Sequence, residues 1–290
     1  MLADYLHVLL LRVAKTGFPT FAPPGFDRVV PLNKFVAVPE AVASAGLTRY
    51  DQLRPFLAST FGALPARRVG PPHPKILSYG TSPVTLAEIQ AAVEAGRPFF
   101  QDFALYWHRY VQPKVQQQIA AWRTQDSRFH PLRMLLELQR LPLHARQLQV
   151  VCMPFHPAAS GNYSPAAVYS SLFEKPNLCW FLGHEASHLL WSEAVGTPLA
   201  SRPGAGPILK RAESAKVDLE ETMCLFMQVQ LSKACGATPA AYRISADFPE
   251  GGQKKLLASL ESDWEAYVGD RQRWQDLQVY VLEKASAVFA

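Results

Sequence analysis

The sequence predicts an α+β protein that is predominantly helical, and three observations carry that expectation. Apolar residues recur at helical spacing over most of the chain, a short region from about residue 148 to 172 carries strand-like apolar runs, and proline-rich breaks separate the first elements. At 290 residues, 49% hydrophobic and 18% charged, the chain is long enough to bury a sizeable core. A mostly helical region over residues 1–146 and a second region over 147–290 that ends in a helical lobe are expected, as two lobes or as one continuous domain.

Taken in order, Leu2 to Ala14 is apolar but interrupted by Asp4, His7 and Arg12, with no charged leader or small-residue cleavage site, and reads as an amphipathic helix. Breaks follow at Phe18 to Gly25 and at Pro65 to Pro74, with Val29 to Val38 reading as a strand between them. Thr85 followed by Glu88 is a capping-box signature for a helix to Ala95, with Gly96 as its stop. Phe99 to Trp122 reads as a long helix kinked or broken at Pro113, and Leu132 to Leu141 as the next one. The apolar runs Leu148 to Phe155 and Ala167 to Leu172, with Gly161, Asn162 and Pro165 between them, read as a β-hairpin. Asn177 to Trp191 reads as a helix, with Pro176 suited to its first turn and only Gly183 as a weak former. After a Pro/Gly-rich loop from Thr197 to Pro207, further helices are expected around Val217 to Phe226, from Gln253 to Val268 and from Arg271 to Phe289.

Several classes are disfavoured by composition. No apolar run reaches the roughly 18 residues of a membrane span. Cys152, Cys179, Cys224 and Cys235 fall in or beside apolar segments without a C-x-x-C pair, which favours reduced core thiols in a cytoplasmic protein. The net charge of +5 resides in Leu105 to Arg146, where Arg109, Lys114, Arg123, Arg128, Arg133, Arg140 and Arg146 face only Asp126 and Glu137. With Trp107, Tyr110 and Trp122 interleaved, that segment suits a polyanion, but arginines at intervals of five to nine residues read better as solvated helix faces, so nucleic acid is not an expected partner.

The chemistry is concentrated in His184-Glu185-Ala186-Ser187-His188. Residues i and i+4 lie about one turn apart on the same helix face, so both imidazoles can hold one ion. Neutral imidazole is a normal zinc ligand, and a catalytic zinc site takes three protein ligands and keeps a position open. Glu185 is then placed to take a proton from water. On this helix Phe181, His184, His188 and Trp191 form one stripe and Leu178, Leu182, Glu185 and Leu189 the adjacent one, so ionisable groups sit among large apolar side chains. Burial of unpaired ionisable groups is costly, and a metal resolves that cost. No histidine follows His188, so a third ligand must be a cysteine or carboxylate, and Glu220, Glu221 and Glu213 are the candidates.

His184-Glu185-x-x-His188 followed by a helix-borne glutamate resembles the gluzincin zinc peptidases, the thermolysin-like and aminopeptidase-like enzymes, over about residues 148 to 232. The resemblance implies a zincin-like core with a small hairpin beside the motif helix, a zinc ion on His184, His188 and the downstream glutamate, Glu185 as general base, and peptide or protein substrates. Glu221 is preferred on this basis, because small Cys224 follows three positions later, where the ligand helices of that group touch. The apolar neighbours Met223, Cys224, Met227 and Leu231 favour Glu220 instead. The 32 residues between His188 and Glu221 exceed the usual thermolysin-like spacing, so no subfamily or substrate carries over. By the same resemblance Ala167 to Leu172 is expected to be an edge strand that aligns substrate, and His156, Tyr163, Tyr242 or Arg243 to stabilise the oxyanion. The alternative is a non-catalytic helical binding protein with a structural or degenerate zinc site. A structural site, however, more often closes with four Cys or His ligands.

Overall fold

The computed structural model describes residues 1–11, 37–61, 85–143, 148–155, 161–164, 167–174, 176–192, 196–236 and 250–290. The chain folds as two compact units, one of residues 1–121 and 148–176, the other of residues 122–147 and 177–290. The chain therefore crosses between units more than once, unlike the single division near residue 147 that the sequence suggests.

The first unit contains α1 (Leu2–Leu11), α2 (Ala37–Ser44), α3 (Leu53–Phe61), α4 (Leu86–Gly96), α5 (Phe100–Tyr106), the beginning of α6 (Gln112–Phe129), and strands β1 (Gln149–Cys152), β2 (Gly161–Ser164) and β3 (Ala167–Ser170). α1 is not amphipathic: Leu2 through Leu10 are all buried. Its polar residue Asp4 has partners at Oδ2, paired with the terminal ammonium at 3.2 Å and accepting from the Trp107 indole at 3.0 Å. Ala37 and Val38 begin α2 instead of ending a strand; the rest of the strand expected over Val29 to Val38 lies outside the described residues.

α4 has the expected capping box, with the Thr85 side chain accepting from Glu88 N–H and the Glu88 carboxylate accepting from Thr85. Gly96 does not stop the chain, which continues in a 3₁₀ turn over Arg97–Phe99. Its missing side chain instead admits Leu9, whose Cδ2 would lie 2.6 Å from an added Cβ, while the Tyr5 hydroxyl donates to the Gly96 carbonyl. Before Pro113 the helix widens into a π-turn over Trp107–Val111 and then continues as α6. Tyr5, Tyr50, Phe100 and Phe103 pack ring to ring in the core.

The three strands form one sheet in the order β1-β3-β2. β1 and β3 pair in parallel, Gln149 opposite Ala167, so the two apolar runs are not the arms of a hairpin. The hairpin partner of β3 is β2, antiparallel with Gly161 opposite Ser170. A parallel pair needs a return connection, and the segment between the runs supplies both that return and the extra strand. β3 is therefore the fully buried central strand, hydrogen-bonded on both sides, and cannot be the substrate-binding edge that the sequence suggests. The Gln118 amide of α6 secures its end, donating to Ser170 and the Ser171 carbonyl and accepting from Phe173 N–H.

The second unit contains the end of α6, α7 (Pro131–Gln139), α8 (Leu178–Leu190), α9 (Ala205–Ser214), α10 (Leu219–Ala234), α11 (Glu250–Ser262), α12 (Trp264–Gly269) and α13 (Leu277–Val288). α8 and α10 pack antiparallel at its centre. An aromatic cluster of Phe226, Trp264, Tyr267, Trp274 and Tyr280 ties α10 to the C-terminal helices. Among the described residues no helix is long and apolar enough to cross a membrane.

Candidate metal centre

The site is built on α8 and α10. Asn177 caps α8, its side chain accepting from Trp180 N–H at 3.0 Å, and Gln125 accepts from Leu178 N–H at 2.7 Å. Asp218 caps α10 by accepting from Glu221 N–H at 3.0 Å, which starts the helix directly before the two glutamates. At Gly183 the helices are in backbone contact: an added Cβ would lie 2.7 Å from Gln228 Cα and 2.9 Å from the Met227 carbonyl oxygen. From α7, fully buried Gln139 donates to Ser187 Oγ at 2.6 Å and accepts from the Trp191 indole at 3.2 Å, while Ser187 donates to the Gly183 carbonyl. α8 is thus held in rotation as well as position. Sequence reading missed Gln139 and the role of Gly183; a glycine inside an otherwise apolar, buried helix is the signal that could have found the latter.

Directly after Gly183 and one turn beyond, His184 and His188 face α10. His184 Nε2 lies 3.6 Å from Glu221 Oε1 and His188 Nε2 lies 3.4 Å from Glu221 Oε2. The ligand atoms of His184, His188 and Glu221 all fall within 4.8 Å of one another, and these residues form the one group of three or more His, Cys, Asp or Glu able to hold a metal ion among the described residues. Glu220 takes a different position, with Oε1 3.0 Å from His188 Nδ1, on the far side of the ring from Glu221. Glu213 is exposed on α9 and does not join the group. The His184 and His188 side chains each retain 13% exposure and Glu221 28%, so the donor side of the helix pair reaches solvent, while the rest of α8 apart from Trp180 is buried.

Electrostatics divides the two histidines. Burial pushes the His184 imidazole down to about 4, against the pull of Glu221, so it stands neutral and ready to donate a lone pair. His188 is held well above its usual value: burial opposes protonation, but contacts with Cys224, Glu220 and Glu221 outweigh it. The Glu221 carboxyl lies below its usual range, because the hydrogen bond from His188 and the charges of both histidines overcome its burial. A proton on His188 thus fills the role of a cation between two carboxylates. Two neutralisable imidazoles and one ionised carboxylate, convergent and partly open, fit a zinc ion in donor type and number. His184 Nδ1 is buried without a hydrogen-bond partner, whereas His188 Nδ1 has Glu220, so one ring is oriented by a carboxylate and the other by packing alone.

Burial also pushes the Glu185 carboxyl up to about 7, with Glu221 adding to the shift and His188 opposing it. In metal-free protein the native state then binds this proton where the unfolded chain, near 4.5, has released it, so Glu185 lowers stability as pH rises from 4.5 to about 7. Glu185→Gln removes that loss. Urea unfolding of chelator-treated protein is expected to show the variant gaining roughly 3 kcal/mol on the parent between pH 4.5 and 7.5. A pH-independent difference would contradict the buried carboxyl.

Cys179 and Cys235 are disulfide-bonded, correcting the expectation of four reduced thiols, while Cys152 and Cys224 are free. Their pairing follows from the antiparallel helices, which bring the first turn of α8 to the end of α10. Of the candidate oxyanion residues, His156, Tyr242 and Arg243 lie outside the described residues, and Tyr163 is described only as part of β2. Part of the basic segment already has partners: Arg133 pairs with Glu137, and the Arg140 guanidinium donates to the carbonyls of Tyr267, Val268 and Trp274. No family model, curated protein or solved structure matches the chain.

Proposed function

We propose that the second unit is a zincin-like catalytic unit and that the protein is a zinc-dependent peptidase. The observation that carries this reading is the convergence of both Nε2 atoms of the His-Glu-x-x-His helix on the carboxylate of Glu221, with the buried carboxyl of Glu185 one residue from the first imidazole. His184, His188 and Glu221 are the residues that would hold zinc, and Glu220 orients His188 through Nδ1. When bound, a zinc ion supplies Lewis acidity that polarises a carbonyl and brings the proton of water within reach of a carboxylate near neutral pH.

Glu185 does the proton work. Its carboxyl, tuned by burial to about 7, can take a proton from water during attack on a peptide carbonyl and return it to the leaving amine. Glu185 is only 4% exposed, so bulk water is largely excluded from that carboxyl. His184 and His188 contribute as neutral donors, which requires His188 to give up the proton it holds between the carboxylates.

Replacing Glu185 by Gln tests the reading. The variant is expected to retain one zinc per chain and to cleave a peptide library roughly 10²- to 10⁴-fold more slowly than the parent, read by mass spectrometry. A zinc-loaded parent that cleaves no peptide would instead favour the non-catalytic binding protein, and a variant that cleaves as well as the parent would remove Glu185 from the proton transfer.

A further inference from the structure

The two helices that carry the donors meet at three levels. At one end, Cys179 in the first turn of α8 is bonded to Cys235, the residue that caps α10. In the middle, Gly183 lies against the backbone of Met227 and Gln228. At the far end, His184 and His188 face Glu220 and Glu221. The bonded cysteines are 56 positions apart in a stretch that includes α9 and the whole of α10, so the staple joins parts of the sequence that no short loop holds together. His188 lies nine residues beyond Cys179, about 13 Å along a rigid helix. An opening at the cysteine end is therefore carried as a rotation to the donor end, where the donor atoms have only 4.8 Å to share.

We propose that the Cys179–Cys235 bond is a redox-formed clamp on the metal centre, setting how firmly the donors retain the cation; this rests on the zinc reading above. It forms by exchange with a low-molecular-weight disulfide such as oxidised glutathione. One cysteine thiolate attacks that disulfide and releases one small thiol. The second thiolate then attacks the mixed disulfide and releases the other, so the two cysteines lose two electrons and two protons and the oxidant becomes two thiols. Both sulfurs are buried, with Cys179 1% and Cys235 2% exposed, so the closed clamp is shielded from reductants in the folded state. The free thiols do not compete: Cys152 belongs to the first unit, and Cys224 is fully buried beside His188.

The test combines a thiol count with metal release. Protein refolded with oxidised glutathione, then unfolded and alkylated without reductant, should show modification at Cys152 and Cys224 only. Zinc extraction by a chelator should be about tenfold faster from the Cys179→Ser/Cys235→Ser variant, because a smaller fraction of its molecules holds the donors together. Should that variant not fold, the parent refolded under reductant supplies the same comparison. Four modified cysteines in the oxidised preparation, or equal extraction rates with and without the bond, overturn the clamp while leaving zinc binding intact. Oxidised protein that takes up no zinc overturns the metal reading, and the clamp's role with it.

Discussion

On the proposed zinc site, Glu221→Gln is expected to abolish zinc binding, whereas Glu220→Gln is expected only to weaken it. The two residues are neighbours, yet they lie on opposite sides of the His188 ring. Glu220 is 3.0 Å from Nδ1, whereas Glu221 is 3.4 Å from Nε2. Glu221 also faces His184 Nε2 at 3.6 Å, so it is the carboxylate that both imidazoles share. Its amide replacement keeps the volume and removes the charge, and zinc affinity should fall by more than about 1000-fold, beyond the roughly 10- to 100-fold of an outer-sphere partner. Glu220→Gln should fall in that smaller range, because it removes only the group that fixes the His188 tautomer. Competition with a fluorescent chelator gives both affinities. Equal losses, or a larger loss at Glu220, would reverse the two roles.

That distinction shows where sequence stops informing. The two imidazoles were legible because a helix repeats every 3.6 residues and the ligands sit on one face of a single element. A helix-borne glutamate was legible as a class. Which of two adjacent glutamates faces the imidazoles depends on the rotation of α10 about its axis, about 100° per residue, and that is fixed by contacts from distant parts of the chain. Gly183 against Gln228 and Phe226 against Trp264 are such contacts.

The same limit accounts for the rest. Local signals placed most described helices within a few residues, as with the Thr85 capping box at α4, although Pro176, expected in the first turn of α8, lies before its Asn177 cap. Two apolar runs announced strands but not their direction, since parallel and antiparallel neighbours can share one hydrophobic pattern. Asp4 made α1 look amphipathic because its partner, Trp107, lies 103 residues away. The cysteines gave no spacing signal, as their pairing is a consequence of the antiparallel packing of α8 on α10.

Gly183→Ala puts that packing to a quantitative test in which two effects of opposite sign compete. Within a helix, alanine is favoured over glycine by roughly 0.5–1 kcal/mol. At Gly183 the added methyl meets Gln228 Cα at 2.7 Å and the Met227 carbonyl at 2.9 Å, and backbone on the facing helix cannot step aside as a side chain could. Overpacking of this kind costs about 3 kcal/mol, so a net loss of about 2 kcal/mol is expected in urea unfolding. The displacement also reaches the donors, because His184 is the next residue and His188 lies little more than a turn beyond it on the same helix. Zinc affinity should therefore fall along with stability, although alanine adds no charge and touches no ligand. A Gly183→Ala protein as stable as the parent, with unchanged zinc affinity, would mean that α8 and α10 are held apart at this point and that the donor convergence does not depend on their contact.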